Sequence, residues 1–193
     1  MSRSPIIRHL FISPGHNYFG HHGKEPGGHP IEERNEIELV AGCGVRGDRF
    51  FGYKENYKGQ VTLFEMEVVE AVRQFAGKPD IPASAFRRNV ITSGIDLNEW
   101  IGRKFSLNGI LLEGTEECRP CYWMDSACGK SGTEELMQGR GGLRCRILSD
   151  GVLKIGAATI AVAEERRQAV GGCDAPPQSV ETKPQSPIGR QET

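Results

Sequence analysis

Residues 86–125 read FRRNVITSGIDLNEWIGRKFSLNGILLEGTEECRPCYWMD and hold the strongest fold signals of the chain. Two apolar runs flank Asn108-Gly109, a pair that favours the type I′ turn of a tight hairpin because both positions readily adopt positive φ. The apolar stretch 89–92 predicts a short strand, and Asp96 is placed to cap a short helix that extends to Trp100. This region therefore predicts short strands joined by tight turns.

The same pattern continues on both sides of that region. Apolar residues at helical spacing, from Val68 to Phe75, predict a helix over residues 65–76. A second hairpin is expected around Asp150-Gly151, and residues 117–132 are expected to be irregular. Further strands are predicted at residues 6–12, 36–41, 60–64 and 158–163, with a short helix at 133–138. Strands outnumber helices, so we predict a mainly β, or α+β, fold: a barrel-like domain with a few short helices.

The composition limits the classes of function. The chain has 193 residues, enough for one domain with a hydrophobic core. Its 24 Lys and Arg against 25 Asp and Glu give a net charge of −1, which argues against a general role in coating nucleic acid or membranes. We find no signal peptide and no apolar run of membrane-spanning length, so we expect a cytoplasmic protein with reduced cysteines.

We expect three parts along the chain. Residues 1–35 would form a strand and a His- and Gly-rich loop packed on the domain, and residues 36–165 the domain itself. Residues 166–193 hold four of the eleven prolines and few large apolar side chains. Because such a segment buries too little surface to offset the entropy of ordering, we predict a disordered tail there.

Four of the six cysteines lie between residues 118 and 145, and the run Cys118-Arg119-Pro120-Cys121 leaves three interpretations open. A thioredoxin-like redox pair needs a βαβ frame, which the β-rich surroundings do not supply. A structural zinc site needs a second pair of ligands at comparable spacing, and no histidine follows residue 29. The third interpretation is one reactive thiolate on a loop near arginines, which would be nucleophilic and a soft metal ligand. For Cys118, Cys128 and Cys145 the alternative is a small buried residue without a chemical role.

Several ordered motifs together resemble the MOSC domain. They are residues 86–125, VRGDRFFGY at 45–53, and GRGGLRCRIL at 139–148 followed by VLKIG at 152–156. This is the domain at the C-terminus of molybdenum cofactor sulfurase, which also occurs as stand-alone bacterial proteins. The resemblance covers about residues 36–160, and it implies a β-rich, barrel-like fold that handles the molybdenum cofactor (molybdopterin) or its sulfur.

The resemblance also implies the reactive residues. Cys121 matches the family cysteine that carries sulfur or ligates molybdenum, so we expect it to be both a catalytic residue and the metal ligand. Asp125 matches the aspartate that follows this cysteine and is expected to orient a water or a backbone amide. An aspartate that only caps a turn is the alternative for Asp125.

A group of polar residues is expected to bind the cofactor. Arg87 and Asn89 match the family pattern that is thought to face the pterin and its phosphate. Arg88, Arg140 and Arg144 join them, because a guanidinium binds phosphate through two parallel hydrogen bonds. A solvated surface arginine with no ligand is the alternative for Arg140 and Arg144.

The resemblance bears on cofactors and partners as well. The full sulfurase carries a pyridoxal-phosphate-dependent cysteine desulfurase domain, for which we expect no room in 193 residues. Pyridoxal phosphate is therefore associated with this protein only through the family, and we do not expect it to be bound here. The expected ligand is the molybdenum cofactor, and the expected partner is a cysteine desulfurase or an electron-transfer protein, not nucleic acid or a membrane. As an enzyme, the protein would act in cofactor sulfuration, or reduce N-hydroxylated compounds at molybdenum with a separate electron donor. The alternative is a zinc- or thiol-redox binding module with no molybdenum role.

All five histidines lie within the first 29 residues, four of them in the polar loop GHNYFGHHGKEPGGHP. His16, His21, His22 and His29 leave three interpretations open: a metal site, a lid over the cofactor pocket, or a packed loop whose imidazoles form local hydrogen bonds.

Overall fold

The computed structural model describes residues 5–21 and 23–163, and the predicted tail at 166–193 lies outside the described residues. The strands of the described part are β1 (Ile6–Ile12), β2 (Glu32–Arg34), β3 (Glu36–Val40), β4 (Gly44–Val45), β5 (Val61–Glu65), β6 (Val90–Ser93), β7 (Lys104–Leu107), β8 (Ile110–Glu117), β9 (Leu143–Ile147), β10 (Gly151–Lys154), β11 (Gly156–Ala157) and β12 (Ile160–Val162). The helices are α1 (Met66–Ala76), α2 (Trp123–Cys128) and α3 (Thr133–Leu136), with 3₁₀ turns at Ala83–Phe86 and Leu97–Trp100. The predicted class, mainly β with a few short helices, is confirmed.

The larger sheet has nine strands in the order β11-β1-β6-β5-β9-β8-β7-β12, with β2 added to β1. β5 and β6 run parallel, and the other pairs of this sheet are antiparallel. Its two ends, β11 and β12, are separated only by the residues between Ala157 and Ile160, a stretch that spans at most about 11 Å. The sheet therefore curls until its ends approach each other. The shape is barrel-like, although β11 and β12 are not hydrogen-bonded into a closed barrel.

The second predicted hairpin, at Asp150-Gly151, is wrong. β10 pairs with β3 in a separate three-stranded sheet and not with β9. Neither residue has the positive φ that a type I′ turn requires. The Asp150 carboxylate instead accepts a hydrogen bond from the backbone N–H of Ala41 at 2.7 Å. The hairpin at Asn108-Gly109 is confirmed, since φ is 50° and 84° there and β7 pairs with β8.

Neighbouring residues of the central strands pack into two different hydrophobic cores, because successive side chains of a strand point to opposite faces of the sheet. Leu10 and Leu63 belong to the core shared by the two sheets. Phe11 and Phe64 belong to a second core, beneath α1 and α2. The larger sheet is thus covered on both faces, and the predicted helix over residues 65–76 is confirmed as α1.

The prediction of irregular chain over residues 117–132 is wrong in its second half, where α2 forms. Trp123, Met124 and Cys128 anchor this helix in the core beneath the helices, and Gly129 ends it at a φ of 61°. Cys121 therefore lies just before a helix and just after the end of β8. None of the helices in the described part of the chain has the length and hydrophobicity that crossing a bilayer requires.

Candidate functional site

A cleft of about 240 Å³ opens beside the loop that joins β8 to α2. Its walls come from segments that are far apart in the sequence and that the curled sheet brings together. They are residues 16–19 after β1, residues 49, 50, 57, 59 and 62, residues 86–88 before β6, residues 118–121, 123 and 124, and residue 144 on β9.

Both cysteines of the Cys118–Cys121 run line this cleft, and their exposure differs. Cys118 is 7% exposed, whereas Cys121 is exposed to solvent, and both are free thiols. The N–H of Cys118 donates to the carbonyl of Gly142 at 2.7 Å, so the sheet holds this residue. The carbonyl of Cys121 accepts from the N–H of Met124 at 2.8 Å, so the start of α2 holds the other.

The charged side chains of the described residues that line the cleft are all arginines: Arg49, Arg87, Arg88, Arg119 and Arg144. No carboxylate among the described residues lines the cleft, although Asp48 and Glu116 pair with Arg49 and Arg144 from outside the lining. Walls of one sign of charge focus the field inside a cleft, so this one is suited to an anion.

Arg87 lines the cleft, as the sequence predicts for a cofactor-binding residue. Its backbone is left-handed, with φ at 55°, which ends the 3₁₀ turn before β6. Its guanidinium lies 5.4 Å from the ring centroid of Tyr18, and its Nη2 donates to the carbonyl of Gly15 at 3.2 Å. Burial, and after it the charge of Arg49, lower the pKa of Arg87 to about 10. The side chain therefore stays cationic at neutral pH.

Arg88 also lines the cleft, but its guanidinium binds the protein's own backbone. Nη2 donates to the carbonyls of Cys118 and Gly141, both at 3.0 Å, and Nη1 donates to the carbonyl of Phe86 at 2.7 Å. A side chain at Gly141 would overlap the carbonyl of Cys118 and the ring of Pro120, so glycine is required for this close approach. Arg88 therefore fixes the cysteine loop against the segment that precedes β9.

Asn89 is buried outside the cleft lining. Its Oδ1 accepts from the N–H and the hydroxyl of Thr62 at 3.1 and 2.9 Å, and its Nδ2 donates to the carbonyl of Phe11 at 3.2 Å. These bonds join β1, β5 and the start of β6. The structure thus places Asn89 behind the site as a cross-link between strands, and does not bring its side chain to the cleft.

Two further predicted residues, Arg140 and Asp125, are not among the residues that line the cleft. Arg140 lines a separate groove that includes Glu65. Asp125 lies on α2, where its carboxylate accepts from the backbone N–H groups of Glu134 at 2.8 Å and Gly132 at 3.1 Å. These two hydrogen bonds, in that order, lower the pKa of Asp125. The structure shows the turn-capping alternative for this aspartate.

Arg144 is a predicted arginine whose guanidinium interacts with the side chain of a cleft cysteine, Cys118. Its guanidinium lies 3.5 Å from a carboxylate oxygen of Glu116 and close enough to the Cys118 side chain to interact with it electrostatically. Burial opposes the charge of Arg144, but Cys118, Tyr57 and Glu116 outweigh that effect and raise its pKa. Its buried Nε has no hydrogen-bond partner among the described residues.

Arg49 and Trp123 are cleft residues that are absent from the sequence-based predictions. Arg49 forms an ion pair with the buried Asp48 at 3.2 Å and donates to the carbonyl of Arg87 at 3.2 Å. Burial lowers the pKa of Arg49, and Asp48 opposes that shift. The indole N–H of Trp123 is buried without a partner in the described part of the chain. The signal for both was their position inside the motifs that carry the family resemblance.

The histidine loop contributes to the cleft through its first part. His16 lines the cleft with its ring 4.8 Å from that of Phe50, and burial, then the charges of Arg49 and Arg87, lower its pKa. His21 bonds locally, with Nδ1 3.0 Å from the carbonyl of Glu25. His22 lies outside the described residues, and those described contain no group of three His, Cys, Asp or Glu side chains placed to hold a metal. Residues 16–19 form one wall of the cleft, whereas the bond of His21 to Glu25 agrees with the packed-loop interpretation.

Comparisons with known proteins give one consistent result. A family model of the MOSC domain matches residues 21–159. The fold is similar to that of the YuaD protein from Bacillus subtilis, which is 17% identical with a TM-score of 0.63, over 82% of this chain and 94% of that one. It is also similar to YiiM from Geobacillus stearothermophilus, which is 14% identical with a TM-score of 0.60, over 86% and 78% of the two chains. YiiM from Escherichia coli is 18% identical with a TM-score of 0.55, over 80% and 71%. No curated protein matches the chain.

Proposed function

Because the chain belongs to the MOSC domain family, we propose that its cleft binds the molybdenum cofactor and presents Cys121 to it. The observation that carries this proposal is an exposed thiol in a cleft whose charged side chains are all arginines. Thiolate sulfur is a soft metal ligand, and guanidinium groups match phosphate oxygens through paired hydrogen bonds. The cofactor combines these two features, a metal bound by sulfur and a phosphate.

Two buried donors support the fit of such a ligand. The indole N–H of Trp123 and the Nε–H of Arg144 belong to cleft-lining residues and have no partner among the described residues. An unpaired buried donor costs about 1–3 kcal/mol, which a ligand with acceptor atoms recovers. The pterin and phosphate of the cofactor are rich in acceptors, so the residues present fit the group.

The side chains divide into those that would touch the cofactor and those that position them. Cys121 would ligate the metal, and Arg49, Arg87 and Arg144 would hold the phosphate. Arg88 and Asn89 act through other groups, Arg88 by fixing the carbonyl of Cys118 and Asn89 by joining strands. When bound, the cofactor supplies the redox chemistry of its metal.

The exposure of Cys121 favours a second function, in which the protein carries sulfur for the cofactor. Cys121 is exposed, so a sulfur donor such as a cysteine desulfurase reaches it without entering the cleft. The exposed thiol would then hold sulfur as a persulfide at the place where the cofactor binds. The two functions use the same thiol and the same cleft.

Purification of the full chain from a host that makes the cofactor tests both. Stoichiometric molybdenum, together with the fluorescence of oxidised pterin, is the result expected for cofactor binding. Cyanide-labile sulfur on Cys121 without pterin would leave only sulfur carriage. Zinc with neither molybdenum, pterin nor labile sulfur would overturn both and support the zinc-binding alternative.

A further inference from the structure

Two thiols of unlike surroundings line one cleft, three residues apart. Cys121 is exposed and precedes α2, whereas Cys118 is 7% exposed and continues the end of β8. The exposed thiol is the one that an outside donor reaches first. The buried thiol reaches only what is already in the cleft.

Cys118 lies among cationic side chains of the cleft. The guanidinium groups of Arg49 and Arg144 line the same cleft as its thiol and lie close enough to interact with it electrostatically. Thiolates act as nucleophiles where guanidinium groups balance their charge. Its backbone is also held at both ends, by the N–H bond to Gly142 and by the carbonyl bond from Arg88.

The other described cysteines lack this arrangement. Cys145 and Cys128 are buried in the two cores, and burial raises the pKa of both thiols. Cys43 is exposed and does not line the cleft. Among the described cysteines, Cys118 and Cys121 are therefore the two that line the cleft.

We propose that Cys118 is a second catalytic thiol, which attacks a persulfide on Cys121 and releases hydrosulfide inside the arginine-lined cleft. This inference rests on the sulfur-carrying form of the proposed function. A sulfane-sulfur donor first adds one sulfur to Cys121. The Cys118 thiolate then attacks Sγ of Cys121, a Cys118–Cys121 disulfide forms, and the bond to the outer sulfur breaks.

The products account for every atom and electron of this step. The outer sulfur leaves as HS⁻ with the hydrogen of the persulfide and with both electrons of the broken bond, so it is reduced to sulfide. Cys118 is oxidised in this step, and it forms the disulfide with Cys121, whose sulfur was already oxidised when the donor loaded it. An external dithiol closes the cycle by reducing that disulfide and becoming a disulfide itself. The cleft thus receives a reduced sulfur anion next to the place proposed for the cofactor.

The test uses the full chain with Cys43→Ser and Cys173→Ser, so that the cleft thiols and the buried Cys128 and Cys145 remain; Cys173 lies outside the described residues. Inorganic polysulfide loads the protein without oxygen, and excess reagent is removed by desalting. Sulfide release and intact mass are then followed without added reductant. We expect one sulfide per chain and a final mass two hydrogens below that of the reduced protein.

Variants in the same background separate the two thiols. Cys118→Ser should keep one added sulfur and release it only when dithiothreitol is added, whereas Cys121→Ser should load none. Arg144→Met, which keeps both thiols, should slow sulfide release roughly tenfold, since a guanidinium beside the attacking sulfur is lost.

Two results would overturn the inference in distinguishable ways. If the parent protein and Cys118→Ser both keep the added sulfur, Cys118 is not the attacking thiol, and sulfur carriage by Cys121 stands. If neither protein loads sulfur, the sulfur-carrying function fails together with the inference. Because the parent protein alone reports both sulfide and mass, a variant that fails to fold does not remove the test.

Discussion

Arg88 donates a hydrogen bond from Nη2 to the carbonyl oxygen of Cys118 across 3.0 Å. This bond joins the turn before β6 to the end of β8, two segments thirty residues apart in the chain. Arg88, which the sequence predicts to bind the cofactor, thereby holds the shape of the cleft. Its loss should act on stability first.

Arg88→Met should lower the free energy of unfolding by about 3 kcal/mol, because carbonyls of Phe86, Cys118 and Gly141 lose their donor. For a domain of this size that corresponds to a fall of roughly 10 °C in Tm. Thermal unfolding of the purified protein measures it, with the exposed Arg119→Met as control. Equal Tm values for the two variants would show that Arg88 does not hold the loop.

Asn89→Ala should lower the free energy of unfolding by about 2 kcal/mol, because Thr62 and Phe11 lose buried hydrogen-bond partners. Urea unfolding measures the change. Asn98→Ala is the matched control, since Asn98 is exposed and donates one hydrogen bond, to the carbonyl of Gly139. A loss no larger than that of the control would contradict the cross-linking role of Asn89.

Arg87→Met should reduce the pterin retained after purification about tenfold, because a charged donor in the cleft is lost. Arg140→Met should leave the pterin content unchanged, since Arg140 lines the separate groove. Pterin fluorescence per chain compares the two. The account of the cleft is wrong if Arg140→Met loses as much pterin as Arg87→Met.

Asp125 should stabilise the protein in a pH-dependent way. The hydrogen bonds from Glu134 and Gly132 lower the pKa of Asp125. Their stabilisation is therefore complete above the ordinary aspartate pKa of 3.8 and is lost as the pH falls through the lowered pKa. The difference in urea midpoint between wild type and Asp125→Ala should be largest near neutral pH and shrink below pH 3.8. A difference that grows on acidification would contradict this, and Asp80→Ala, at an exposed aspartate, is the control.

Local signals in the sequence predict local structure well. Asn108-Gly109 forms its hairpin because both residues meet the demand for positive φ. Asp150-Gly151 carries the same signal and fails, because Asp150 binds the backbone of Ala41, which is more than a hundred residues away. A hydrogen-bond partner so far away in the sequence cannot be predicted from a local sequence pattern.

In the candidate site too, residues in local motifs were predicted, whereas contacts between distant segments were not. Cys121 and Arg87 were predicted from motifs and line the cleft. Asn89 is two residues from Arg87 in the same motif, yet its side chain is taken up by two neighbouring strands. The contact between Arg144 and Cys118 follows from the pairing of β8 with β9, which the sequence pattern does not predict.

The molybdenum and pterin content of Cys121→Ser shows whether the thiol of Cys121 holds the metal. Cys43→Ser, a change at an exposed thiol outside the cleft, is the matched control from the same cofactor-making host. We predict that Cys43→Ser keeps the molybdenum and pterin content of the wild type and that Cys121→Ser loses the metal. Equal molybdenum and pterin in the two variants would contradict the account, because the metal would then be held without Cys121.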